Sequence, residues 1–145
     1  MIRLAALLCL VACADVLGGP NPQRGPARDP GGSVALRVIE IGALEARRQE
    51  KRVSGECLSA CTMYLGLSTA CFDPDAVLGF HGPRLAFGLA MTSGQFEAIT
   101  QTMASYYPPR IAKRFLDDWR HSDRFHRIPA ARLIARGEAR ACPAD

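Results

Sequence analysis

The sequence predicts an α/β domain, and three observations predict it. Short apolar runs bounded by turn residues, from Ala70 to Phe72 and from Ala76 to Phe80 around Asp73-Pro74-Asp75, read as strands. Longer segments of helical period stand before and after them. Four cysteines in the body of the chain, Cys57, Cys61, Cys71 and Cys142, are an even number, which suits two disulfides formed in an oxidising compartment. With 145 residues, 48% hydrophobic and 22% charged, the chain has the size and composition of one globular domain. The net charge of +4 comes mostly from arginine, since Lys51 and Lys113 are the only lysines. Along the sequence that excess is spread out and not interleaved with aromatics, which argues against a nucleic-acid partner and implies mild attraction to anionic surfaces.

The N-terminus is read first as an address. Met1-Ile2-Arg3 is a short positive stretch and Leu4 to Ala12 an apolar one, too short to span a bilayer, which is the form of an export signal. Leu10-Val11-Ala12-Cys13 resembles the bacterial lipobox, in which the peptidase cleaves after a small residue and the cysteine thiol carries the lipid. The expectation is a signal peptide over 1–12, a lipidated Cys13 opening a tether over 13–30, and a domain over 31–145, at the periplasm-facing side of a bacterial envelope. The tether is rich in proline and glycine with no apolar period, as an extended linker should be.

Gly31-Gly32-Ser33 opens the domain. Val34 to Gln49 can be read two ways: Val34, Val38, Ile41 and Leu44 make a helical stripe, whereas Val-Ile-Glu-Ile looks like strand. Its length and arginine-rich end favour helix. A short strand near Arg52 and Val53 leads to the Gly55 turn. Leu58 to about Leu67 is apolar nearly all round and is expected as a buried helix. Thr92 with Gln95 forms a capping box for a helix reaching about Tyr106, stopped by Pro108-Pro109. Pro109 begins the next helix, where it is tolerated, and Ile111, Phe115 and Trp119 recur at core spacing. Pro129 to Arg136 is expected as a short helix and Glu138 to Cys142 as a final strand.

Three pairings of the four cysteines are possible. If Cys57 and Cys61 share one helical face their side chains stack, which disfavours that pair. The expected bridges join the serine turn to Cys71 and pin the C-terminal segment through Cys142. Zinc on Cys57, Cys61 and Cys71 is the alternative, but the spacing is not that of a usual knuckle, so no metal and no cofactor is expected.

Chemistry centres on Gly55 to Pro83. Ser59 stands where a turn meets an apolar helix, and His81 follows a short strand. A serine becomes a nucleophile when a base takes its proton and backbone N–H groups receive the oxyanion. The same serine also serves simply to cap a helix, and the histidine to fill a strand end.

In this order the residues resemble the Clp-protease proteolytic-subunit family within the crotonase-like superfamily. Asp29-Pro-Gly-Gly-Ser-Val34 is similar to its Gly-Gly turn, Gly55 to Ala60 to its Gly-x-x-x-Ser turn, and Cys71-Phe-Asp-Pro with Leu78-Gly-Phe-His81-Gly-Pro83 to its histidine strand. Asp123-Arg-Phe125 resembles its terminal segment, so the likeness covers about residues 29 to 140. It looks closer still to small exported bacterial proteins carrying Cys-x-Ser-Ala-Cys-Thr and Gly-Phe-His. The resemblance implies an abbreviated fold of this kind: a small, mostly parallel sheet flanked by helices. It also implies Ser59 as nucleophile, His81 as base, and the N–H groups of Gly32 and Ala60 as oxyanion donors. The family's acid falls at Trp119, one residue from Asp118, which is taken as the orienting carboxylate, with Asp117 and Asp123 as alternatives. The chain after His81 has little sign of the element by which the family's subunits stack, so neither a sealed chamber nor an ATP-driven partner is expected. Three functions follow: a periplasmic serine hydrolase acting on a peptide or protein substrate, an inactive lipid-tethered binding module, or an envelope-structural lipoprotein.

Overall fold

The computed structural model describes residues 28–85 and 89–144. The export signal over 1–12, Cys13 and the tether as far as residue 27 lie outside the described residues.

Residues assigned to the end of the tether already belong to the sheet. Arg28–Asp29 form β1, and the turn Pro30 to Ser33 carries the chain into α1, Val34–Ala46. Ser33 caps α1 by accepting a hydrogen bond from the Leu36 N–H, satisfying one of the donors a helix start leaves free. The helical stripe packs inward: Ile41 is buried, and Val34, Val38 and Leu44 lie against the core. β2, Lys51–Val53, and β3, Glu56–Leu58, follow on either side of Gly55. β3 gives way directly to a 3₁₀ helix, Ser59–Gly66, then β4, Ala70–Phe72, and β5, Val77–Phe80.

The main sheet has the order β1-β3-β5-β6, with β6 at His126–Pro129. β1, β3 and β5 run parallel, and β6 closes the sheet antiparallel to β5. β2 and β4 form a second, parallel pair, to which Ala141 adds a single bridge at Phe72. Helices α2 (Ser93–Ala104), α3 (Pro109–Asp117) and α4 (Ala130–Ala135) complete a mixed α/β domain whose mostly parallel sheet is flanked by helices. Thr92 and Gln95 make the reciprocal capping box at the start of α2, and Pro109 occupies the first turn of α3. Ile111, Phe115 and Trp119 are all buried. Phe80 meets the rings of Tyr107 and Trp119 at 5.4 and 5.3 Å, and Tyr107 meets Phe115 at 5.3 Å, so one aromatic cluster ties β5 to α3.

Four expectations are corrected. The helix placed from Leu58 is a strand followed by a tighter helix, because Leu58 still pairs with Gly79 of β5 and the Thr62 hydroxyl then draws the first turn closed on the Ser59 carbonyl at 2.6 Å. The helix placed from Pro129 is preceded by β6, and Pro129 ends that strand instead of opening the helix. The final strand is reduced to the Ala141 bridge, held by Phe72 N–H to Arg140 O and Cys142 N–H to Phe72 O.

The fourth concerns the cysteines, which pair Cys57 with Cys61 and Cys71 with Cys142. Cys57 and Cys61 do not share a helix. One is on β3 and the other in the 3₁₀ helix, and the bend between them brings their Cα atoms to 5.2 Å. The alternative zinc ligands are therefore all in disulfides. Cys142 pins the C-terminal segment as expected, but to β4.

Candidate active site

The site begins with a strained residue. Ser59 has φ +53, a left-handed conformation that a residue with a Cβ adopts at a cost of about 1–2 kcal/mol. Such a bend lifts a side chain off the end of its strand instead of letting it lie on either face. The strain is held from behind: Thr62 Oγ1 donates to Ser59 O and lies 2.7 Å from the buried Tyr107 hydroxyl.

Against this bend lies a second one. Gly31 and Gly32 have φ +100 and +80, which only glycine takes freely. A Cβ on Gly31 would stand 2.6 Å from Leu58 O and 2.7 Å from both Ala60 N and Ser59 Cβ, so the two turns touch backbone to backbone. The Gly32 N–H has no acceptor among the described residues. Ala60 is the second residue of its helix, where an N–H has no partner within the helix.

The glycine turn is braced by residues that sequence reasoning missed. Asp29 Oδ1 accepts from Gly31 N–H at 2.8 Å, and Arg37 Nη2 donates to both Asp29 oxygens at 3.1 and 2.8 Å and to Gly31 O at 3.1 Å. Arg37 is nearly buried and also donates to Glu40 and to the Tyr64 hydroxyl, which in turn donates to Glu40. Burial and Glu40 push the Tyr64 phenol's pKa up, so it stays a proton donor. A signal existed, since an aspartate two residues before a glycine is the pattern of a side chain that bonds its own turn.

Ser59, Gly32 and His81 line one cavity of about 720 Å³, within the range of small-ligand sites. Val34 and Ala35 of α1, Leu85 and Met91 of the following loop, and Ile99 of α2 make much of the wall apolar. His81 directly follows β5 and is half-buried, with Phe125 edge-on at 4.5 Å. Burial and the neighbouring Arg84 hold its pKa below the ordinary 6.5, partly offset by a hydrogen bond with the Gly82 backbone. At neutral pH the imidazole is thus uncharged, the form a general base needs. No hydrogen bond joins the Ser59 and His81 side chains among the described residues.

The acid is not brought to them. Asp118 is exposed at the end of α3 and its carboxylate has no hydrogen bond to His81. Asp117 pairs with Lys113 at 2.6 Å, and Asp123 pairs with Arg84. Arg84 beside the histidine acts in the opposite sense to an orienting acid, because it lowers the imidazole's proton affinity.

That electrostatic arrangement has a measurable sign. Because the folded pKa lies below 6.5 and the unfolded one near it, the unfolded chain binds more protons in that window. The contribution of His81 to stability is complete above pH 6.5 and falls as pH drops below it. Any reaction needing the neutral ring should accordingly keep its acid limb below pH 6.5, and Arg84→Gln should move the limb upward. NMR titration of the imidazole checks this directly; a midpoint unmoved in the variant would remove Arg84 as a cause.

The fold and cavity define a disulfide-bonded α/β protein with a strained serine facing a glycine turn. Compared with known proteins, the chain matches no family model and no curated protein.

Proposed function

We propose that this chain is a ClpP/crotonase-like serine hydrolase of the peptidase kind, exported and held at the periplasmic face of the envelope through lipid on Cys13. The observation that carries the reading is the left-handed Ser59, pressed against the Gly31-Gly32 turn and sharing its cavity with a neutral histidine. Ser59 Oγ attacks an acyl carbonyl while His81 takes its proton. The N–H groups of Gly32 and Ala60 receive the oxyanion. His81 then protonates the leaving group, and water, deprotonated by the same ring, releases the acyl group from Ser59. The apolar wall suits an apolar side chain or acyl group next to the bond cleaved. With no carboxylate on the imidazole among the described residues the pair works as a dyad, which implies a slower enzyme than a full triad.

The exposed Asp118 favours one competing reading, an inactive member of the same fold acting as an envelope binding module or structural lipoprotein, its serine merely turning the chain. A fluorophosphonate probe separates the two. Covalent labelling that disappears in Ser59→Ala and drops by about 10²-fold or more in His81→Ala is expected of the hydrolase. A folded, disulfide-bonded sample that takes no label would leave the binding module.

A further inference from the structure

The positive charge that is scattered in sequence is gathered in space. On α3, Arg110, Lys113, Arg114 and Asp117 fall at i, i+3, i+4 and i+7, one face of the helix, while Ile111 and Phe115 are buried. Arg127 of β6, Arg132 of α4 and Arg136 just beyond it line the same groove, which encloses about 800 Å³. Six cations therefore meet one carboxylate, Asp117. Lys113 is paired with that carboxylate and Arg127 with Glu56. Arg110, Arg114, Arg132 and Arg136 have no ion pair and no side-chain hydrogen bond among the described residues. Like charges lining a concavity focus a positive potential there.

His126 lines this groove with its ring stacked on Trp119 at 5.4 Å and 19°, and its Nε2 is buried with no hydrogen-bond partner among the described residues. None of the groove's residues lines the Ser59 cavity.

We infer that this groove binds a phosphate-bearing small ligand or lipid headgroup. Guanidinium forks match phosphate oxygens two at a time, and the partly exposed Ile128 offers an apolar surface beside them. Trp119 is buried and no exposed aromatic lines the groove, so it lacks the stacking surface that single-stranded nucleic acid uses.

The test uses the full chain with its disulfides intact and Cys13→Ser to exclude a lipid anchor. It is titrated with inorganic pyrophosphate and sedimented with vesicles of phosphatidylcholine alone or with phosphatidylglycerol. The double variants Arg132→Gln/Arg136→Gln and Arg110→Gln/Arg114→Gln remove charge from the two walls. Arg47→Gln/Arg48→Gln removes the same charge from the exposed turn after α1 and controls for net charge. Each groove pair is expected to weaken binding by about tenfold or more while the control pair changes it by less than about twofold. Groove-dependent sedimentation only with phosphatidylglycerol identifies a headgroup as the source. Pyrophosphate binding without sedimentation identifies a soluble phosphate. Equal losses in the groove and control pairs, no groove-dependent binding in either assay, or groove-dependent binding of DNA alone would each overturn the inference.

Discussion

Gly31→Ala is expected to abolish labelling of Ser59 and to destabilise the domain by about 2–6 kcal/mol, the sum of backbone strain and overpacking. The new methyl group would sit 2.6 Å from Leu58 O and 2.7 Å from Ala60 N. Both are backbone atoms of a bend fixed from one side by the sheet and from the other by Thr62, so neither can step aside by changing rotamer. Gly32→Ala is the comparison. It meets the same penalty for a positive φ, but nothing lies within 4 Å of its Cβ, so strain alone applies, about 1–2 kcal/mol. Urea unfolding of the two variants measures the difference. Equal midpoints, with Gly31→Ala still labelled at the wild-type rate, would mean that the glycine turn does not rest on the serine turn.

Cys142→Ser should cost about 4 kcal/mol, the loop-closure entropy of a crosslink spanning this much chain. The bridge joins residues separated by 71 positions, whereas Cys57 and Cys61 are only 4 apart. By the same argument, removing the short bridge costs about 2 kcal/mol. The ranking is checked by chemical denaturation of Cys71→Ser/Cys142→Ser against Cys57→Ser/Cys61→Ser, the double replacements avoiding a stray thiol. A larger loss from the short bridge would locate its effect in the folded bend instead of the unfolded chain.

The elements with long periods were legible. α1 shows its Val34-Val38-Ile41 stripe, α2 its capping box and α3 its Pro109 start, because each signal is local and repeated. What escaped was set by distant partners. Glu56–Leu58 is strand because β1 and β5 flank it, and three residues are too few to display a period. His126–Pro129 alternates no better than a loop does, yet it pairs along the whole of β5. The cysteine pairing was misread for one cause: the left-handed Ser59 between β3 and the 3₁₀ helix turns Cys61 back toward Cys57, and a serine announces no such φ. Within the candidate site, Ser59, His81 and the glycine pair stand out in the sequence as a group. Arg37 does not, since a buried arginine bracing a turn reads there as one more surface cation of α1. The gathering of Arg110, Arg114, Arg132 and Arg136 is equally invisible until α3 and α4 are packed.

The attachment of residues 140–142 to β4 has a consequence for how the molecule comes into being. β4 sits near the middle of the chain, but Phe72 receives its partners Arg140 and Cys142 from the far end, and Arg140 also reaches back to the carbonyls of Thr69 and Ala70. A polypeptide emerging N-terminus first, from a ribosome or a translocation pore, therefore exposes one edge of an apolar strand until some seventy further residues have followed, the separation of Cys71 and Cys142. During that interval Cys71 is without its mate while Cys57 and Cys61 are already both present. Vectorial emergence thus makes both partners of the short bridge available before those of the long one, and it leaves β4 as the edge through which nascent copies would stick to one another.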